Sequence, residues 1–256
     1  MGQSIHNQIR SIQGLKQDSD YFHRDFDLYH DGVIENQRRD RMLLRGSMLL
    51  LATCLVCAVC LVPGIRAHIE SEIEPRPPVC LKEFPTDPSQ FNELVRPYVK
   101  QIIEKHGLEE WKATLLTNEL HRHLGLWSII GAKMGIRARE ILRAPADAMD
   151  VVSFAGYKPP WSCINDGLQV STGSSLARGT ISVVHLGKPV AIFVYKQRQV
   201  TLKVKPEIVK TVRRVIKELS DEYGFQSERY FHALNKISVQ YWLDWDRKKL
   251  FEEIGD

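Results

Sequence analysis

The longest charge-free run in the chain is residues 46–65, GSMLLLATCLVCAVCLVPGI, 20 residues in all. At about 1.5 Å per residue it makes about 30 Å of helix, the thickness of a bilayer core. A helix also satisfies its own backbone in hydrocarbon, so the run predicts a transmembrane helix. Its flanks differ in charge. Arg38, Arg39, Arg41 and Arg45 precede it, and Arg66, Glu70, Glu72 and Glu74 follow. The positive-inside rule therefore holds residues 1–45 in the cytoplasm as a polar segment and sends the C-terminal bulk across the membrane. A start at Met42 would turn the same run into a cleavable secretory leader, with a secreted or periplasmic product. The 41 residues ahead of it favour an uncleaved signal-anchor in the cytoplasmic membrane, spanning it once.

Beyond the run, residues 66–88 carry five prolines and read as an extended linker. A folded domain is expected over 89–256. Ser89 is a plausible cap for a helix to about residue 105, with Phe91, Leu94, Val95, Val99, Ile102 and Ile103 on one face. Gly107 ends it. A second helix carries Trp111, Leu115 and Leu116, and a third runs over 126–142. On the third, Gly131 and Gly135 lie four apart and predict close packing against another element. Short β-rich runs follow at 151–154, 167–170, 180–184, 190–195 and 199–204, the last two joined by a tight turn. After Pro206 a helix with Ile208, Val212, Val215, Ile216 and Leu219 on one face is expected, and a final helical stretch over 237–254. The fold class is α+β, helices flanking a mostly antiparallel sheet, preceded by the one transmembrane helix.

Composition narrows the class. Hydrophobic content of 43% and charged content of 26% are those of a globular protein. A net charge of +4, with Lys and Arg dispersed, excludes nucleic acid as a partner. Cys54, Cys57 and Cys60 have iron–sulfur spacing, but Leu, Val and Ala surround them, and they read as buried apolar cysteines. That leaves Cys80 and Cys163.

The reactive side chains concentrate in two motifs, LHRHLG at 120–125 and CINDGLQVSTG at 163–173. Two imidazoles (His121, His123), a thiol (Cys163) and a carboxylate (Asp166) can hold a transition metal or run proton and nucleophile chemistry. Residues i and i+2 diverge on a regular helix, so His121 and His123 converge only from a loop, here the approach to the 126–142 helix. Plainer readings exist for each. The histidines can be surface or hydrogen-bonded structure, Cys163 can pair with Cys80 in a disulfide, and Asp166-Gly167 is an ordinary turn pair.

The run HRHLG at 121–125, GAKMG at 131–135 and CINDGLQVSTG at 163–173 resembles the FmdE family, named for a component of formylmethanofuran dehydrogenase. That family has His-Gly-His-Leu, a Gly-x-x-Met-Gly helix and Cys-x-x-Asp-Gly-Ile-Gln-x-x-Thr-Gly-Cys in the same order. The YWLDWD segment at 241–246 is similar to the end of some bacterial members. The chain departs from the pattern at Arg122, at Gly125 (Cys in many members) and at Ser174 (Cys in the family). The family's C-terminal zinc-binding extension is absent.

The resemblance implies a shared pocket of His121, His123 and Cys163 as metal ligands, for zinc or another divalent transition metal. Cys163 and Asp166 are its expected catalytic residues. Gln169, Thr172 and Gly173 carry over as cofactor-binding positions. The expected function is a membrane-anchored, extracytoplasmic domain acting on or sensing a small molecule, with a redox connection. A non-catalytic accessory module of a membrane redox assembly is the alternative. Expected partners are a small-molecule ligand, the membrane through 46–65, and a second copy or a redox complex. Formylmethanofuran dehydrogenation itself is not expected, because it uses a cytoplasmic tungsten or molybdenum enzyme and this domain is read as facing outward.

Overall fold

The computed structural model describes residues 79–255. The polar segment at 1–45, the charge-free run at 46–65 and most of the Pro-rich linker lie outside the described residues. Among the described residues no helix is long and apolar enough to cross a membrane.

The first packed residues come from the expected linker. Phe84 lies against the cluster around Trp111, and the Trp111 indole donates to the Pro85 carbonyl at 3.0 Å. The single helix expected from Ser89 is broken into two 3-10 turns, Pro88–Gln90 and Arg96–Tyr98, before α1, Val99–His106. Asp87, not Ser89, supplies the cap, accepting from the Ser89 N–H at 2.9 Å. Asn92 takes the backbone N–H groups of Leu94 and Val95, each at 3.1 Å. Pro97 brings no N–H of its own and disfavours helical backbone at Arg96.

Gly107, at φ +85°, ends α1 as expected, its N–H donating to Ile103 O at 2.8 Å. Helix α2, Leu108–His121, and helix α3, Leu126–Leu142, follow. Strand β1, Asp150–Ser153, leads into helix α4, Cys163–Thr172. Next come β2, Ile181–Val183, β3, Val190–Tyr195, and β4, Arg198–Val204. Helices α5, Pro206–Tyr223, and α6, Glu228–Asp244, precede β5, Phe251–Gly255. The sheet order is β2-β1-β3-β4-β5. Only the β1–β2 pair is parallel, as α4 between them requires of a crossover. The expected α+β class and mostly antiparallel sheet are thus present. The β3–β4 hairpin closes over two residues, with Tyr195 opposite Arg198 and Lys196 at φ +54°.

Two expected elements are corrected. Residues 167–170 are helix, not strand. Ile164 and Leu168, one turn apart, are fully buried, and Gly173 ends the helix at φ +74°. Ser171 and Thr172 turn their hydroxyls back onto the carbonyls of Gly167 and Leu168, both at 2.6 Å, so residues of low helix propensity still fit. The Asp166-Gly167 pair consequently sits inside a helix rather than in a turn. The final helical stretch ends at Asp244, and residues 251–255 pair with β4 as an edge strand.

Three glycines set how closely α3 and α4 approach. A Cβ on Gly131 would lie 2.3 Å from Ile164 O, and one on Gly135 1.9 Å from Ser171 Oγ. From the other side, a Cβ on Gly167 would lie 2.2 Å from Ala132 N. The close packing expected of Gly131 and Gly135 is present, and α4 is its partner. This contact carries Cys163 and Asp166 up to the start of α3.

A charged network holds the opposite side. The ammonium of Lys133, fully buried, donates to Glu110 and, at 2.8 Å, to Trp245 O. Arg247 reaches Glu110 Oε2 at 3.0 Å and also bonds Glu140. Burial pulls Lys133 down to about 8, with Glu110 opposing the shift. This is a structural tie between α2, α3 and the segment after α6.

Candidate functional site

Helix α2 ends on His121, and Arg122 turns the chain in the left-handed region at φ +68°. His123 follows, and Gly125 leads into α3. Because the backbone reverses at Arg122, the two imidazoles escape the divergence of a regular helix. Their ring centroids lie 4.3 Å apart, tilted by 41°. The expectation that the pair sits on the approach to α3 is met.

Helix α4 brings the second motif to the first. Cys163 opens it and Asp166 follows one turn later, both partly buried. His121 Nδ1 donates to Asp166 Oδ2 at 2.7 Å, which fixes the ring and leaves Nε2 facing away from the carboxylate. Nε2 is buried and has no hydrogen-bond partner. Gly125 makes room for the ring, since a Cβ there would stand 3.0–3.1 Å from His121 Cδ2 and Nε2.

The two imidazoles are electrostatically opposite. Burial works against charge on His121, but the hydrogen bond to Asp166 and the adjacent Cys163 outweigh it and raise His121 from 6.5 to about 9. Burial and the charge on His121 lower His123 to about 4. At neutral pH the metal-free site therefore holds one imidazolium and one neutral imidazole, side by side.

Aromatic side chains enclose them. Phe231 of α6 meets the His123 ring at 5.1 Å, with Tyr230 at 5.4 Å from Phe231. Tyr230 is raised above its ordinary value, first by burial and then by Cys163. Just ahead of Cys163, Trp161 packs on Trp127 at 4.6 Å and lies under the Arg213 guanidinium. Sequence reasoning missed these residues. Tyr230, Phe231 and Arg213 belong to helices far along the chain, with no local signal linking them to His121.

Gln169, Thr172 and Gly173 are not brought to this place. They occupy the far end of α4, about 14 Å along the helix from Cys163. Thr172 is fully buried, and its hydroxyl accepts from Ser174 N at 3.1 Å. Gly173 leaves no room for a Cβ, which would fall 2.0 Å from Asp147 Oδ1. Gln169 Oε1 accepts from Leu176 N at 3.4 Å. These contacts end the helix and anchor the next loop. Cys80 and Cys163 are both free, so the disulfide alternative is not formed.

The donor chemistry suits a transition metal, and the partnerless Nε2 is the atom such an ion would take. Among the described residues, however, no group of three or more His, Cys, Asp or Glu side chains has metal-site geometry. Asp166 is engaged by His121, and the positions of the two further family thiols are filled by Gly125 and by Ser174, whose hydroxyl donates to Met149 O at 2.7 Å.

The family model described as FmdE, molybdenum formylmethanofuran dehydrogenase operon, matches residues 120–252, from the residue before His121 through the sheet and α6 into β5. The chain belongs to the FmdE family. A crystal structure of an FmdE-like protein of the tungsten formylmethanofuran dehydrogenase type, from Syntrophus aciditrophicus, is similar to it at 15% sequence identity and a TM-score of 0.31. That match covers 63% of this chain and 71% of the other. No curated protein matches. The FmdE match includes both motifs, so the His121–Asp166 pair belongs to the FmdE domain.

Proposed function

We propose that this FmdE domain uses His121, His123 and Cys163 to hold zinc or another divalent transition metal, and so acts on or senses a small molecule. Asp166 orients His121 and serves as its proton partner. A bound metal would supply Lewis acidity. The chain's own residues hold the ring, keep Nε2 shielded from water and line the pocket with aromatic surface. The observation that carries this reading is the buried, partnerless Nε2 of a histidine whose other nitrogen is fixed by a carboxylate.

The charge-free run at 46–65, with arginines before it and glutamates after it, supports a single-pass anchor with the domain on the far side of the cytoplasmic membrane. Elemental analysis of the full-length protein tests the metal. One equivalent of zinc or a similar ion, lost in His121→Ala and Cys163→Ser, is the expected result. A metal-free protein indifferent to both substitutions would sink the proposal.

A second reading, a non-catalytic accessory module of a membrane redox assembly, is favoured by Gly125 and Ser174 standing at the family's thiol positions and by the lack of a three-donor group among the described residues. Co-purification with a redox complex, unchanged by the same two substitutions, supports this reading over the first.

A further inference from the structure

The loop that carries His123 lacks the usual means of holding its own backbone. Gly125 caps α3 without a side-chain hydrogen bond, and Arg122 sits in the left-handed region that non-glycine residues seldom adopt. Two carboxamides from other helices bond the backbone N–H groups of this loop. Asn118, on α2 and buried, accepts from Gly125 N at 3.2 Å and from Ser128 Oγ at 2.9 Å, while its own amide donates to Thr114 O at 2.8 Å. Asn235, on α6, accepts from Leu124 N at 2.8 Å across 111 residues of sequence.

Asn235 lies one helical turn from Phe231, and residues i and i+4 share a helix face. The face that holds the Leu124 amide is therefore the face that meets the His123 ring. Asn118 secures the α3 side of the loop within its own helical pair. Asn235 ties the loop backbone to α6.

We infer that Asn235 is a positioning residue for His123, holding the loop backbone so that the two imidazoles face one another under Phe231. This rests on the reading of His121 and His123 as site residues, but not on metal being bound. Loss of one charge-neutral hydrogen bond of this kind releases the amide by about tenfold in its opening equilibrium.

The test uses full-length protein freed of metal, in the wild type and in N235A, N235L and N235D. Two signals are read by NMR: the cross-peak between the His121 and His123 ring protons, and the exchange protection of the Leu124 amide. Asp keeps an acceptor oxygen at the same reach, so N235D should retain both signals. N235A and N235L should lose the ring cross-peak and show Leu124 exchanging about tenfold faster, with the amides of α3 unchanged. A ring cross-peak that survives in either apolar variant overturns the inference, as does its loss in a folded N235D. Zinc uptake by the wild type is measured separately. A protein that takes up no zinc but shows the expected pattern ends the metal reading and leaves the role of Asn235 standing.

Discussion

His121 and Asp166, 45 residues apart in sequence, share a hydrogen bond of 2.7 Å with the histidine only 11% exposed and the carboxylate 33% exposed. This pair joins the two motifs. It also determines the charge on the buried ring.

Asp166→Asn should uncouple the ring from its charge. His121 is raised in the folded state from 6.5 to about 9, so its contribution to stability is fully present below about 6.5 and is lost as pH rises through about 9. Removing the carboxylate should cost on the order of 2 kcal/mol at pH 6, discounted for the partial exposure of Asp166, and little above pH 9. Urea melts of D166N and wild type at the two pH values check this. NMR titration of His121 should place it below 6.5 in the variant, since burial then acts unopposed.

Metal binding at His121 should be strongly pH-dependent. An ion on Nε2 has to displace the proton that the ring holds up to about pH 9. Affinity should therefore rise by about tenfold per pH unit between 6.5 and 9, with one proton released from this ring. Zinc titrations by calorimetry in buffers of different ionisation enthalpy measure both quantities. A flat profile would place the ion elsewhere.

Gly131→Ala should destabilise the domain well beyond what an added methyl costs on an open helix. Its Cβ would lie 2.3 Å from the Ile164 carbonyl, which is backbone and cannot rotate away. A loss of about 2–4 kcal/mol in chemical denaturation is expected. The α3–α4 separation should widen, and with it the reach from Asp166 to His121. Ala at Gly179, where nothing lies within 4 Å, is a milder control whose cost comes from its φ of +63° alone.

Lys133→Met should cost about 3–5 kcal/mol, because Glu110, completely buried, loses its principal cation. Lys133→Met with Glu110→Leu should recover part of that loss, since Arg247 keeps Glu140 as partner. Thermal melts of the single and double variants separate the pair's contribution from simple burial.

The sequence by itself determined the α+β class, the bounds of α3, the β3–β4 hairpin and the family. Each rests on short-range periodicity, turn residues or a motif in fixed order. It also marked His121, His123, Cys163 and Asp166 as one site, because reactive side chains cluster in the two motifs. Local reasoning failed where tertiary contact outweighs local preference. Glycine and β-branched residues at 167–172 suggest strand or turn, but burial of Ile164 and Leu168 against α3 makes the segment a helix. Residues 251–255 continue a helical pattern and become a strand because β4 offers an open edge.

Within the site, only the tertiary structure decided which residues meet. It took Thr172 and Gly173 away to the far end of α4 and left Nε2 of His121 without a partner. It also brought Phe231 and Asn235 across more than a hundred residues onto the histidine loop. No periodicity carries such information, because these contacts depend on how helices cross, and the crossing is set by three glycines and the carbonyls they meet.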